Sequence, residues 1–184
     1  SEPTSYPTGT PTHRPTFAPT FPEYLGEVTG EMELTPLSDP LSSFAQIAWE
    51  EVTENAVKNS PNVNNSPMVL LSLRANIEKQ FSVSRAQIVD AGSTRRSLQE
   101  ETEPVLIDST VIQYKILFLY QSPEEMNVEY LFGSTFDTTA KRQAYIRELK
   151  RKDQSRTLTS VEQVQVAVDG WEPPNWGRAS LILG

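Results

Sequence analysis

The sequence predicts an α+β fold of the ferredoxin-like split βαβ kind: a βαββαβ order, with an antiparallel sheet and two helices on one face, preceded by an extended polyproline-like tail. Three observations predict it. Stretches of apolar alternation and stretches of 3.6-residue periodicity follow one another as strand, helix, strand, strand, helix, strand. The segment 105–121 is apolar on both faces, which marks a central strand. Five tandem Pro-Thr-x-x units fill the N-terminus, where no core can form. The chain therefore divides into a tail (1–22), a globular domain (23–170) and an extended aromatic C-terminal segment (171–184).

The tail holds six of the 14 prolines. Pro3, Pro7, Pro11, Pro15 and Pro19 recur every fourth residue, each followed by threonine: Thr4, Thr8, Thr12, Thr16 and Thr20. Proline fixes φ and lacks an N–H, so an extended chain is expected, reaching on the order of 65–70 Å. Polyproline II repeats every three residues, so a period of four winds the prolines around the axis and offers no PxxP face. Such Thr- and Pro-rich sequence marks an O-glycosylated stalk with these threonines as acceptors, or a plain linker.

In the first strand Val28, Met32 and Leu34 alternate with Glu27, Thr29, Glu31 and Glu33, giving one buried and one strongly acidic face. Gly30, on the inward side, marks a possible bulge. Ser38-Asp39-Pro40 is expected to open a helix that buries Leu41, Phe44, Ala45, Ala48, Val52 and Ala56, with Trp49 at the edge, and that ends near Asn59-Ser60-Pro61. Glu50, Glu51 and Glu54 read as its solvated face. The loop 60–67 carries the N-glycosylation sequon Asn64-Asn65-Ser66, weakened by the following Pro67.

Alternation then resumes, with Val69, Leu71, Leu73, Ala75 and Ile77 on one face of a long half-buried strand. A helix competes here, since Leu70, Leu73, Ile77 and Phe81 also fit its period. Residues 92–103 read as an exposed hairpin loop in which Arg95-Arg96 invites a basic-specific protease. The central strand places Ile112, Tyr114, Ile116, Phe118 and Tyr120 on one face, and Val111, Leu117 and Leu119 on the other. A second helix is expected from Asp137 or Thr138 to Lys152, burying Ala140, Ala144, Tyr145 and Leu149 and exposing Lys141, Arg142, Arg147, Lys150, Arg151 and Lys152. Leu158, Val164, Val166 and Val168 mark the last strand, and the aromatic stretch 171–176 is expected to cover the open sheet face or to join a neighbour.

Composition excludes several function classes. A net charge of −8 makes nucleic acid a poor partner. No apolar run approaches the length that spans a bilayer; the longest is Ile116–Tyr120. The chain has no cysteine, and its one histidine, His13, lies in the tail, so the domain holds no thiolate or histidine chemistry. No initiator Met or signal peptide is present, which points to a processed chain or a fragment. No cofactor is expected, and no catalytic or metal residue is nominated.

The units in Pro15-Thr16-Phe17-Ala18-Pro19-Thr20-Phe21 resemble linkers in secreted and cell-surface proteins of diatoms and related stramenopile algae. The block Ser93-Thr94-Arg95-Arg96-Ser97-Leu98-Gln99, followed by Val111-Ile112-Gln113-Tyr114, is similar to an Arg-Arg-x-Leu loop in many such ectodomains. The resemblance spans the tail and residues 45–170. It implies an extracellular or cell-surface setting and no catalytic residues.

The expectation is therefore not an enzyme but a secreted, glycosylated structural protein. It would be a subunit of an extracellular fibre or cell-surface layer whose tail docks on neighbouring copies. Residues 23–59 sum to −7, while residues 137–156 sum to +4, seven basic against three acidic. Such opposed patches (Glu27, Glu31 and Glu33 against Arg142, Lys150 and Arg151) can pair head to tail, or can be merely solvated faces. The alternative is a ligand- or partner-binding ectodomain of a larger receptor or adhesin, cut at Arg95-Arg96. A carboxylate enzyme such as a glycosidase needs two acids facing across a cleft, and these acids sit in surface-like runs.

Overall fold

The computed structural model describes residues 20–87 and 105–173, together with Pro3 and Gly9. Chain order is β1 (Glu23–Thr35), α1 (Ser43–Lys58), α2 (Pro61–Asn64), β2 (Val69–Gln87), β3 (Val105–Gln121), α3 (Val128–Gly133), α4 (Thr139–Lys152) and β4 (Gln163–Val168). The result is a mixed α+β fold. Its four strands form one sheet in the order β2-β3-β1-β4, and every neighbouring pair is antiparallel.

Alternation decides which sheet face is dry. Val28, Met32 and Leu34 of β1, Ile112 to Tyr120 at even positions of β3, and Val164, Val166 and Val168 of β4 all point into one core. Ala45, Trp49 and Val52 of α1, Leu131 and Phe132 of α3, and Tyr145, Ile146 and Leu149 of α4 pack against them. The hydroxyls of Thr53 and Tyr145 bond at 2.7 Å and tie α1 to α4 inside this core. Five rings run in contact through it, from Trp49 to Tyr114, Phe132, Phe136 and Tyr145, at centroid distances of 5.0–6.2 Å.

Several expectations are corrected. The segment before α1 is not helical, because its polar groups are taken by the sheet. Thr110 Oγ1 donates to the carbonyls of Leu37 and Asp39 at 3.1 and 3.0 Å, and Leu41 N–H donates to Gln80 Oε1 at 2.7 Å. Ser42 is the N-cap instead, its hydroxyl accepting from Ala45 N–H. The buried stripe of α1 is rotated towards Ala45, Trp49, Thr53 and Val57. Trp49 is fully buried, donating to Met32 Sδ at 3.2 Å, while Phe44 is 61% exposed. In α4, Ile146 takes the core position expected of Ala140 and Ala144, which are exposed.

β2 is a strand, but register shifts after Leu70 and Ile77 insert Leu71 and Glu78 as extra residues. Val69 and Leu71 are therefore exposed, and Leu73 and Ala75 are the buried positions. The bulges fit an edge strand that must resist pairing with other chains. Glu54 of α1 reinforces the edge by accepting from Ala75 N–H at 3.1 Å. Gly30 marks no bulge: β1 pairs with β3 in unbroken register from Glu23 to Leu34.

Two short helices were not expected. α2 lies within the loop 60–67, and α3 is capped by Asn127, whose side chain accepts from Tyr130 N–H at 2.9 Å. Leu158 belongs to a buried 3₁₀ turn (Thr157–Ser160) rather than to β4. Trp171 turns away from the open sheet face. It bridges back to Val168 and lies on Gly133 of α3, so close that a Cβ on Gly133 would sit 2.3 Å from its ring.

Candidate functional site

The outer face of the sheet carries the expected acidic row, but its glutamates are engaged. Lys115 reaches Glu78 at 2.9 Å and Glu27 at 3.7 Å, and the Glu78 hydrogen bond, aided by Glu27, holds its ammonium pKa above the usual lysine range. Arg85 meets Glu33 at 3.0 Å. Glu31 and Glu23 accept from the side-chain amides of Gln113 and Gln121 at 3.0 and 3.1 Å, bonds that leave their charge intact. The face is thus less acidic than alternation implied, because β2 delivers Arg74, Lys79 and Arg85 to the same side.

The row is flanked by apolar side chains. Leu25, 74% exposed, sits opposite the half-buried Leu119, with Leu117 one pair further along and the exposed Val69 at the end. No described element covers this face.

The basic patch lies on α4, in the helical layer on the other side of the sheet. Arg151 pairs with Glu148 at 2.7 Å, lowering the Glu148 pKa by that hydrogen bond and by its charge. Lys152 joins Glu51 of α1 at 2.5 Å, and Lys141 joins Asp137 at 2.7 Å. Arg142 donates to the Phe136 carbonyl at 2.8 Å and to Thr139 Oγ1 at 3.3 Å. Arg147 and Lys150 have no ion pair among the described residues. The structure therefore separates the expected patches onto opposite sides of the sheet; on the outer face Arg74 and Lys79 share the surface with the glutamates, and on α4 Arg147 and Lys150 remain without an ion pair among the described residues.

Between α1 and α4 runs a groove of about 590 Å³ whose walls include Val52, Ala56, Pro61, Phe136, Ala144 and Tyr145. Its polar rim was missed at the sequence level, because Asn55, Asn59 and Ser60 read simply as the end of a helix.

Of the glycosylation candidates, Asn64 is exposed at the end of α2, with Ser66 of its sequon donating to the Val63 carbonyl at 2.7 Å. Thr20 is exposed. Thr4, Thr8, Thr12, Thr16, Arg95 and Arg96 lie outside the described residues. Among the described residues no cluster of three or more His, Cys, Asp or Glu side chains could hold a metal ion, and no helix is long and apolar enough to cross a membrane.

No protein-family model matches the chain, and searches of curated proteins and of solved structures return no match.

Proposed function

We propose that this chain is a secreted, glycosylated structural protein, a subunit of an extracellular fibre or cell-surface layer that assembles head to tail. The observation that carries the reading is the distribution of charge. The outer sheet face carries Glu23, Glu27, Glu31, Glu33 and Glu78 against Arg74, Lys79, Arg85 and Lys115, while α4, in the opposite layer, presents Arg147 and Lys150 without an ion pair among the described residues. A molecule polarised this way stacks with its neighbours in one direction, and an interface between unlike surfaces builds an open filament unless its rotation closes a ring. Leu25, Leu117, Leu119 and Val69 add apolar area beside the charged row.

The domain is read as ferredoxin-like. The element order, with α1 and α4 as the two crossover helices, and the sheet order β2-β3-β1-β4 support a split βαβ arrangement that leaves one sheet face for a partner. The extracellular setting and the sugar on the tail threonines rest on the resemblance of the Pro-Thr-x-x units to stramenopile cell-surface linkers. Electron microscopy of the purified chain at low ionic strength tests the reading. Regular filaments or sheets are expected; dispersed single particles at every concentration would contradict it.

A further inference from the structure

We propose that the groove between α1 and α4 is the seat for the Pro-Thr tail of a second copy. The inference rests on the assembly reading and adds where the tail goes. Four observations favour this occupant.

First, the groove holds polar groups that lack partners. The amides of Asn55 and Asn59, one helical turn apart, are exposed at its rim and make no side-chain hydrogen bond among the described residues, so they are open to a partner. Ser60 is 3% exposed, and its hydroxyl has no partner among the described residues. A buried hydroxyl left unpaired is a standing cost that a ligand can relieve. A polyproline-like chain has no internal hydrogen bonds, so its carbonyls are free to accept from amides such as these.

Second, the groove does not call for an anion. Its cations Lys141, Arg151 and Lys152 are already held by Asp137, Glu148 and Glu51. Residues 1–19 carry one Glu and one Arg, so the tail is neutral, and it offers five prolines, Tyr6 and Phe17 to the apolar walls.

Third, the tail starts at the right end of the molecule. Pro22 accepts from Ser122 N–H, and Glu23, Gln121 and Val69 lie in register at one edge of the sheet. The chain passes from Asn59, Ser60 and Pro61, at the end of α1, to Val69 at that end of the sheet within ten residues.

Fourth, length favours a neighbour. Nineteen extended residues reach roughly 60 Å, whereas the 16-residue α1 that walls the groove is only about 24 Å long. The tail is long enough to leave one copy and fill the groove of the next.

The test uses the full chain with p-benzoylphenylalanine in place of Phe17. Isotopically heavy and light copies are mixed in equal amounts, irradiated and digested, while sedimentation of the same mixture reports assembly. Heavy–light cross-links to residues 52–61 or 141–152 are expected, and their loss is expected in Ala144→Trp, a change at an exposed position that fills the groove. Cross-links within single copies only would overturn the second-copy seat. If the mixture sediments as assemblies yet the cross-links map elsewhere, the groove assignment fails while the assembly reading stands. A mixture that sediments as monomer defeats both.

Discussion

The Tyr114 hydroxyl passes directly over Gly30 to donate to the Ala167 carbonyl at 2.7 Å. A Cβ on Gly30 would lie 2.5 Å from that hydroxyl and 2.1 Å from the carbonyl oxygen. Only a residue without a side chain allows the central strand to reach across β1 and bond the edge strand β4. Gly30→Ala is therefore expected to cost at least about 3 kcal/mol, at the upper end of overpacking penalties, because one of the clashing atoms is backbone. Urea denaturation would show it as a lower midpoint with an unchanged slope. Tyr114→Phe, which loses only the hydrogen bond, should cost about 1 kcal/mol.

Burial, with the Asp169 charge as a second contribution, pushes the Tyr114 phenol far above its usual range, and burial does the same to Tyr145 despite its bond to Thr53. A raised folded pKa means that the native state holds its proton more tightly than the unfolded chain. The resulting stability is intact below the unfolded tyrosine value of about 10 and is lost as pH rises beyond it. The prediction is cooperative alkaline unfolding above pH of about 10, in which these two of the six tyrosines ionise only on unfolding. Tyrosinate absorbance and circular dichroism recorded together check this; full ionisation with native dichroism intact would contradict it.

Asp153 caps the end of α4 from a buried position. Its carboxylate accepts from Ser155 N–H at 3.0 Å, Ser155 Oγ at 2.5 Å and Leu158 N–H at 2.8 Å. Asp153→Ala strands these donors and should cost about 2–3 kcal/mol. Ser122→Ala removes a buried hydroxyl that has no partner among the described residues and should be neutral or slightly stabilising. Thermal denaturation of the two variants side by side separates the cases.

Gly133 lies under the Trp171 ring. Gly133→Ala should lift the indole towards water and shift tryptophan emission to longer wavelength, with the fully buried Trp49 and the chain's third tryptophan, Trp176, supplying the remainder. An unshifted spectrum would show that the ring does not rest on α3 in solution.

Strands were the legible part of this chain. Alternation located β1 and delimited β3 from 105 to 121, because a strand's facing repeats every second residue and the core reads it directly. What alternation missed needed distant partners. The bulges at Leu71 and Glu78 reverse which residues of β2 face inward, and nothing local announces them. The rotation of α1 follows from Trp49 reaching Met32 and Thr53 reaching Tyr145. Segment 36–41 looked like a helix start until β2 and β3 claimed its polar groups. In contrast, α3 did carry a signal, an Asn127 cap with Glu129 in the first turn. The charge patches were legible as composition, but their partners Lys115, Arg85 and Glu51 came from other elements.

Head-to-tail assembly is tested most directly by complementary charge reversal. One variant carries Glu27→Lys and Glu31→Lys on the sheet face, the other Arg147→Glu and Lys150→Glu on α4, with circular dichroism confirming that both fold. Each retains one sound surface, so each alone should sediment more slowly than the parent chain. Mixed, the sound sheet face of the second meets the sound α4 of the first, and the two reversed surfaces are again of opposite sign, so the mixture should regain the association of the parent chain. Parent-like sedimentation of the α4 variant by itself, or a mixture that sediments no faster than its components, would contradict the account.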